Sequence, residues 1–389
     1  MTAIARYTLG TYRLCSPEET LARVAPHLSA CGITRSTAVT GLDSLGVPSY
    51  CAIRPDAWTF QVSNGKGLTD AAAEASAVME ALELHHAENP LPGRLQHTSR
   101  AELEAAGHSV IPPESLHGYR HGPFSRGYRC EWVRGENLAK GQVIHAPASA
   151  IYFHRRAAMH YTTTNGLASG NHLAEATLHA LYELIERDAM TQLGVDGRLQ
   201  IRARTRVVDP VTIDLPDLRE ILNQAEADGT RVILMWLPSA VPVHTFWAVL
   251  LSSASQVSTT TLNVGWGTHP DKHIAASRAL TEAAQSRVGF IHGAREDLQE
   301  KPVLRTIDAR NSVAYRFFEE LPATTSWDAL DFPGLTIVTD LEAALDQLVE
   351  ALQRAGHPVL ARFDLTHPGI DMPVVKMLVP SLRFNHKLF

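Results

Sequence analysis

Apolar positions recur along this chain at two periods, and the longest helical ones carry acids beside their apolar faces. Leu21, Val24, Ala25 and Leu28 follow Ser16-Pro17-Glu18-Glu19, which predicts a short helix with a side-chain cap and a proline in its first turn. From about Asp70, Ala75, Val78, Met79 and Leu82 form one face of a long helix. Ser76, Glu80 and Glu83 fall within ~60° of one another on another face. Ala72, Ala73, Ala77 and Ala87 border those acids and leave room around them.

The central stretch, Thr163 to Asp188, begins as a loop of small and polar residues in which Gly166 and Gly170 allow positive φ. Ser169 or Asn171 is placed to cap the helix that follows. On that helix Leu178, Leu181, Ile185 and Ala189 make an apolar stripe, flanked within ~80° by Glu175, His179, Glu183 and Glu186. A further helix, capped by Asp271, follows a tight turn expected over Gly265–Pro270. It brings Arg278, Glu282 and Gln285 into ~60°, with Arg287 on the opposite side unless the helix ends or bends near Ser286. Leu218–Ala227 and Leu341–Ala355 complete the long helices, with a short one near Arg100–Ala106. Strand-like runs occur at Trp58–Val62, Trp132–Ile151, Arg231–Leu237, His244–Ser252, Thr336–Val338 and Val359–Phe363.

The elements predict a mixed α/β (α+β) fold, one large unit over 1–389 built of several sheet-and-helix layers. It comprises a lead-in (1–60), a core (61–300) and a C-terminal subregion (301–389). Neither a fixed-period repeat nor an obvious linker divides it. With 389 residues, 45% hydrophobic and 20% charged, the chain has material for a large core. A formal net charge of −6 gives no reason to expect nucleic acid or an anionic membrane as partner. No apolar run approaches the ~18 residues of a membrane span, and the start does not resemble a signal peptide, so a cytoplasmic protein is expected. Cys15, Cys31, Cys51 and Cys130 lack metal or disulfide spacing, and His154 and His160 are not spaced as a metal pair.

The chemistry lies in the acids. Glu80/Glu83 and Glu183/Glu186 are i, i+3 pairs, and Glu282 adds a fifth carboxylate. Unpaired neighbouring carboxylates raise one another's pKa, so a shared site calls for a cation. Oxygen ligands suit Mg2+, which is commonly held by a few acids together with substrate phosphates. Lys66, between glycines in a turn expected over Ser63–Gly67, and Arg13, Arg23, Arg278 and Arg287 are cations suited to a triphosphate. This reading is an ATP–Mg2+ site without a P-loop. A di-iron centre fits less well, because it needs Glu-x-x-His pairs. Acidic faces that are merely solvated are the plainest alternative.

Ser76-x-x-x-Glu80-x-x-Glu83, the run Gly166-Leu-Ala-Ser-Gly-Asn171 leading to Glu183-x-x-Glu186-Arg187-Asp188, and Gln285-x-Arg287 resemble the nucleotide-binding motifs of the YcaO family. The resemblance covers roughly residues 10 to 380, particularly to members that work with a TfuA partner. It implies a single YcaO-type domain that uses ATP to phosphorylate the carbonyl oxygen of a peptide backbone amide. Sulfide then yields a thioamide, or a Cys, Ser or Thr side chain an azoline. By position, Glu80, Glu83, Glu183 and Glu186 would hold two or more Mg2+ ions, and these four with Glu282 are the catalytic candidates. Arg13, Thr20, Arg23, Lys66, Ser76, His179, Arg278, Gln285 and Arg287 become candidates for nucleotide contact. Leu84 departs from the pattern, standing where many members have Arg. The chain also lacks the proline-alternating tail of azoline formers, which favours thioamidation. A peptide or protein substrate, a TfuA-like or other sulfur-delivery partner and a homodimer are implied. A nucleotide-binding scaffold without catalysis is the remaining alternative.

Overall fold

The computed structural model describes residues 3–120, 122, 124–153, 159–161, 163–195, 198–252, 261–294, 313–330 and 334–385. Six longer helices organise it: α1 (Pro17–Val24), α2 (Asp70–Glu88), α3 (Leu173–Gln192), α4 (Pro216–Ala227), α5 (Lys272–His292) and α6 (Leu341–Arg354). Local chemistry explains their starts. The Ser16 side chain accepts from Glu19 N and the Glu19 carboxylate from Ser16 N, with Pro17 in the first turn. Thr69 caps α2, Asp271 caps α5 and Asp340 caps α6. The cap of α3 is His172, whose ring nitrogen accepts from Ala174 N, and neither Ser169 nor Asn171 fills that place. Both of those side chains are engaged elsewhere, as described below.

The three acid-bearing helices each follow directly on a strand. Val62–Lys66, which precedes α2, is the last strand of a three-stranded antiparallel sheet with Arg35–Ala38 and Ser49–Ile53. Leu262–His269, which precedes α5, ends a four-stranded antiparallel sheet with Arg206–Val208, Thr230–Leu237 and His244–Ser252. Leu167–Ser169, which precedes α3, belongs to a seven-stranded sheet. There it pairs with Val374–Leu378, which pairs in turn with Ala361–Asp364 and so connects to the strands between Leu95 and Pro147. The C-terminal subregion thus completes the sheet that the middle of the chain began.

Several expected turns are therefore strands. Gly65-Lys66 lies within a strand, as do Gly265–His269 and Leu167–Ser169, while Trp58–Phe60 is a bend and Thr336–Val338 is not in a strand. Close packing explains the glycines. A Cβ on Gly65 would stand 2.1 Å from Ala73 O and Ala77 N, and one on Gly265 would stand 2.1 Å from Ala283 N. The backbones of α2 and α5 rest directly on these strands, and only glycine permits it.

Apolar clusters fill the layers. One joins α2 to the seven-stranded sheet through Val78, Leu82, Val133, Phe363 and Val374. A second joins α3 and α6 through Leu181, Ile185, Leu345, Leu348 and Leu352, and a third joins α4 and α5 through Leu222, Ala279 and Leu280. All four cysteines are free. His160 is buried between Ser149 and Pro113 O, whereas His154 lies outside the described residues. No described helix is long and apolar enough to cross a membrane.

Candidate functional site

The three strand-to-helix units converge on a cleft of about 1070 Å3. Ser76, Glu80 and Glu83 of α2 line it, as do His179, Glu183, Glu186 and Arg187 of α3 and Arg278, Glu282 and Gln285 of α5. Lys66 enters from its strand, and Arg13 and Thr20 enter from the lead-in. Residues more than 200 positions apart thus share one site because each helix turns its acidic arc the same way.

Two of the sequence candidates stand elsewhere. Arg287 does not line the cleft: α5 continues straight through it to His292, so its side chain projects from the far side. There its guanidinium reaches Asp43 at 3.0 Å, Asp228 at 3.1 Å and Thr230 Oγ1 at 2.9 Å, tying α5 to the loop after Thr40. Arg23 stands behind the lining and donates to Asn171 O and Oδ1 at 3.1 and 3.2 Å and to Asp371 at 3.2 Å. Both arginines hold structure around the cleft.

Within the lining the lead-in is fastened to α3 through Glu175. Its buried carboxylate accepts from Leu14 N at 2.7 Å, Asn171 N at 3.0 Å and Arg13 Nη1 at 3.4 Å. Asn171 Nδ2 donates to Thr20 Oγ1 at 2.9 Å. Glu83 accepts from both N and Oγ of Ser169 at 2.7 Å, which links α2 to the strand before α3. The tertiary roles of Ser169 and Asn171 are not visible in the sequence pattern, which offered them only as caps, whereas the position of Glu175 two turns before Glu183 already sets it apart to serve the loop, as its bond from Asn171 N does. Lys376 is a further addition. It is 1% exposed and donates to Thr163 O at 2.7 Å. A single lysine inside the apolar run Met372–Val379 is the signal that marks it.

The electrostatics follow from burial and crowding. Burial pushes the Glu83 carboxyl up to about 8, against the Ser169 hydrogen bonds, and Glu80 and Glu183 push the same way. Burial, then Glu282, raises Glu186 to about 7, and Glu183 is raised by burial against the pull of Arg187 and Lys376. Glu282 differs. Burial acts to raise it, but Lys66, with which it forms an ion pair, and Arg187 leave it below the usual carboxylate range. Burial and then Arg278 keep His179 neutral, and burial lowers Lys376 to about 8, resisted by Glu183. The cleft therefore holds more carboxylate than its own cations neutralise.

That donor set fits Mg2+ bound together with phosphate. The oxygens are hard ligands, and a divalent ion returns raised carboxyls to their ionised form. Among the described residues no three His, Cys, Asp or Glu side chains converge on a metal position. Facing pairs on α2 and α3 match an ion that takes one or two carboxylates and completes its shell with waters and phosphate oxygens.

Comparison with known proteins gives the same outline. A family model described as YcaO cyclodehydratase, ATP- and Mg2+-binding, matches residues 64–383. An uncharacterized protein of Methanothermobacter thermautotrophicus is 35% identical over 378 residues, covering 94% of each chain. A protein of Rhizobium leguminosarum bv. trifolii, described as lying in the tfuA 3′ region, is 30% identical over 383 residues, covering 96% of this chain and 89% of its own. Among solved structures, YcaO from Methanopyrus kandleri bound with AMPPCP and Mg2+ superimposes with a TM-score of 0.77 and 27% identity, over 98% of this chain and 95% of its own.

Proposed function

The chain belongs to the YcaO family, and we propose that it spends ATP to convert a backbone amide of a peptide or protein into a thioamide. The γ-phosphoryl group passes to the amide oxygen, releasing ADP. Sulfide then adds to the amide carbon, and phosphate leaves with the original oxygen. The observation that carries the ATP reading is the meeting of two facing acid pairs with Lys66, Arg13 and Arg278 in one cleft. The relative in the tfuA 3′ region supports sulfide as the nucleophile and a TfuA-like protein as its supplier.

In this reading Glu80, Glu83, Glu183 and Glu186 would hold Mg2+, which would supply positive charge against the phosphates. Arg13, Lys66 and Arg278 orient the triphosphate, with Thr20, Ser76, His179 and Gln285 as hydrogen-bonding neighbours. Glu282 keeps the Lys66 ammonium aimed into the cleft through their ion pair. Arg23 and Arg287 act indirectly, the first on Asn171 and the second on the seating of α5. A homodimer is part of the same proposal.

The test supplies the purified chain with ATP, Mg2+, sulfide and a candidate peptide. ADP release that requires the peptide, with one oxygen exchanged for sulfur by mass spectrometry, is expected, and Glu183→Ala abolishes both. Loss of water from a Cys, Ser or Thr peptide would make the enzyme an azoline former. Tight nucleotide binding without turnover on any peptide would make it a scaffold.

A further inference from the structure

Among the described residues, one wall of the cleft is built from apolar side chains. Trp58, Phe60, Met79, Leu84 and Phe153 all line it and belong to a single apolar cluster. Phe153 and Leu84 are buried, whereas Trp58, Phe60 and Met79 keep part of their apolar surface uncovered, in a concave setting. The wall is firmly built. The Arg54 guanidinium pairs with Glu88 at the end of α2 at 2.9 and 3.1 Å, and Arg54 N donates to Gln61 O at 2.8 Å, which fixes the bend that presents Trp58 and Phe60. The Thr59 hydroxyl also donates to Glu88. Phe153 N donates to Ala87 O at 2.9 Å, fastening the opposite side of the wall to the same helix.

The wall adjoins the acids in sequence and space. Met79 precedes Glu80 and Leu84 follows Glu83 on α2. A reacting amide must lie near those acids, because the phosphoryl group it receives is held there. We propose that the residue next to the modified amide presents a large apolar side chain, aromatic or aliphatic, to this wall. The inference rests on the amide-activation reading and names the substrate class for it: peptides with a bulky apolar residue beside the target amide. Its side chains offer phosphate no cation among the described residues, and covering the exposed rings removes apolar area from water.

The test loads the protein with Mg2+ and AMPPCP and titrates capped tripeptides Xaa-Gly-Xaa, with Xaa Phe, Leu, Asp or Lys, by calorimetry. The Phe and Leu peptides are expected to bind about tenfold or more tightly than the Asp and Lys peptides. Phe60→Ser and Trp58→Ala, checked for folding by circular dichroism, should shrink that difference. Met79→Lys supplies a third, partly exposed position if either variant fails to fold. Equal binding of all four peptides overturns the proposal. So does a loss of AMPPCP affinity in the variants as large as the loss for the Phe peptide, which would assign the wall to the nucleobase. If the unaltered protein does not bind AMPPCP with Mg2+, the ATP reading falls instead, and the same peptide series without nucleotide then decides whether the wall selects apolar side chains.

Discussion

Glu83 shows how far burial can overrule hydrogen bonding at one side chain. Two donors from Ser169 favour its charged form, and its carboxyl still sits at about 8. Because its folded pKa exceeds the ordinary 4.5, the native chain binds more protons than the unfolded chain across that interval, and stability falls as pH rises. Buried histidines act oppositely below 6.5: His269, lowered to about 3, is neutral when folded and charged when unfolded, so stability rises with pH there. The metal-free protein should therefore lose stability from pH 6.5 to about 8, with Glu83 and Glu186 the cause. Thermal melts across that range test it, and Mg2+ with AMPPCP should flatten the decline. A monotonic rise through pH 8 would contradict the assignment. At this scale the acids were legible in the sequence because i, i+3 spacing on a helix fixes a shared face. Arg287 was not: its motif suggested the cleft, while the helical wheel, which proved right, put it on the other side.

Each acid-bearing helix is set by the strand before it, and glycine is what lets helix and strand touch. Gly265→Ala forces a Cβ against the α5 backbone and should destabilise by ~1–3 kcal/mol or more. Gly93→Ala, with open space around it, should change stability by under ~0.5 kcal/mol in the same urea titrations. The bend that carries Trp58 depends in turn on Arg54 and Glu88, whose side chains are 4% and 3% exposed. Arg54→Met leaves a buried carboxylate unpaired and should cost about 3–5 kcal/mol, part of which Arg54→Met with Glu88→Met restores. These units were only half legible. Helices announced themselves through their period and caps, but Gly65-Lys66-Gly67 and Gly265-Trp266-Gly267 looked like turns. A glycine in a strand and one in a turn leave the same mark in a sequence, and the distinction lies in the helix that packs on top.

Across the molecule, the cleft draws on three larger sheets, on the two-stranded sheet of Arg6–Thr8 and Thr11–Arg13 and on residues from Leu9 to Phe384, so its ligand should report on the whole fold. Nucleotide with Mg2+ at a hundred times its dissociation constant should stabilise by about 2.7 kcal/mol, measurable as a raised melting temperature. Glu183→Ala should remove most of that rise, and an unchanged rise would place the ligand elsewhere. The layered architecture was legible from alternating helical and strand-like runs. The partnership of Leu167–Ser169 with Val374–Leu378 was not, since pairing between strands some two hundred residues apart leaves no local pattern.

That late strand has a consequence in time. Val374–Leu378 lies between Leu167–Ser169 and Ala361–Asp364, and its Lys376 holds the Thr163 carbonyl at the cleft. During synthesis the acids of all three helices leave the ribosome well before residue 376. Until that lysine arrives, the nascent chain has crowded carboxylates without one of their counter-charges and a sheet with a missing middle strand. The cleft becomes complete only after residue 376 has been made.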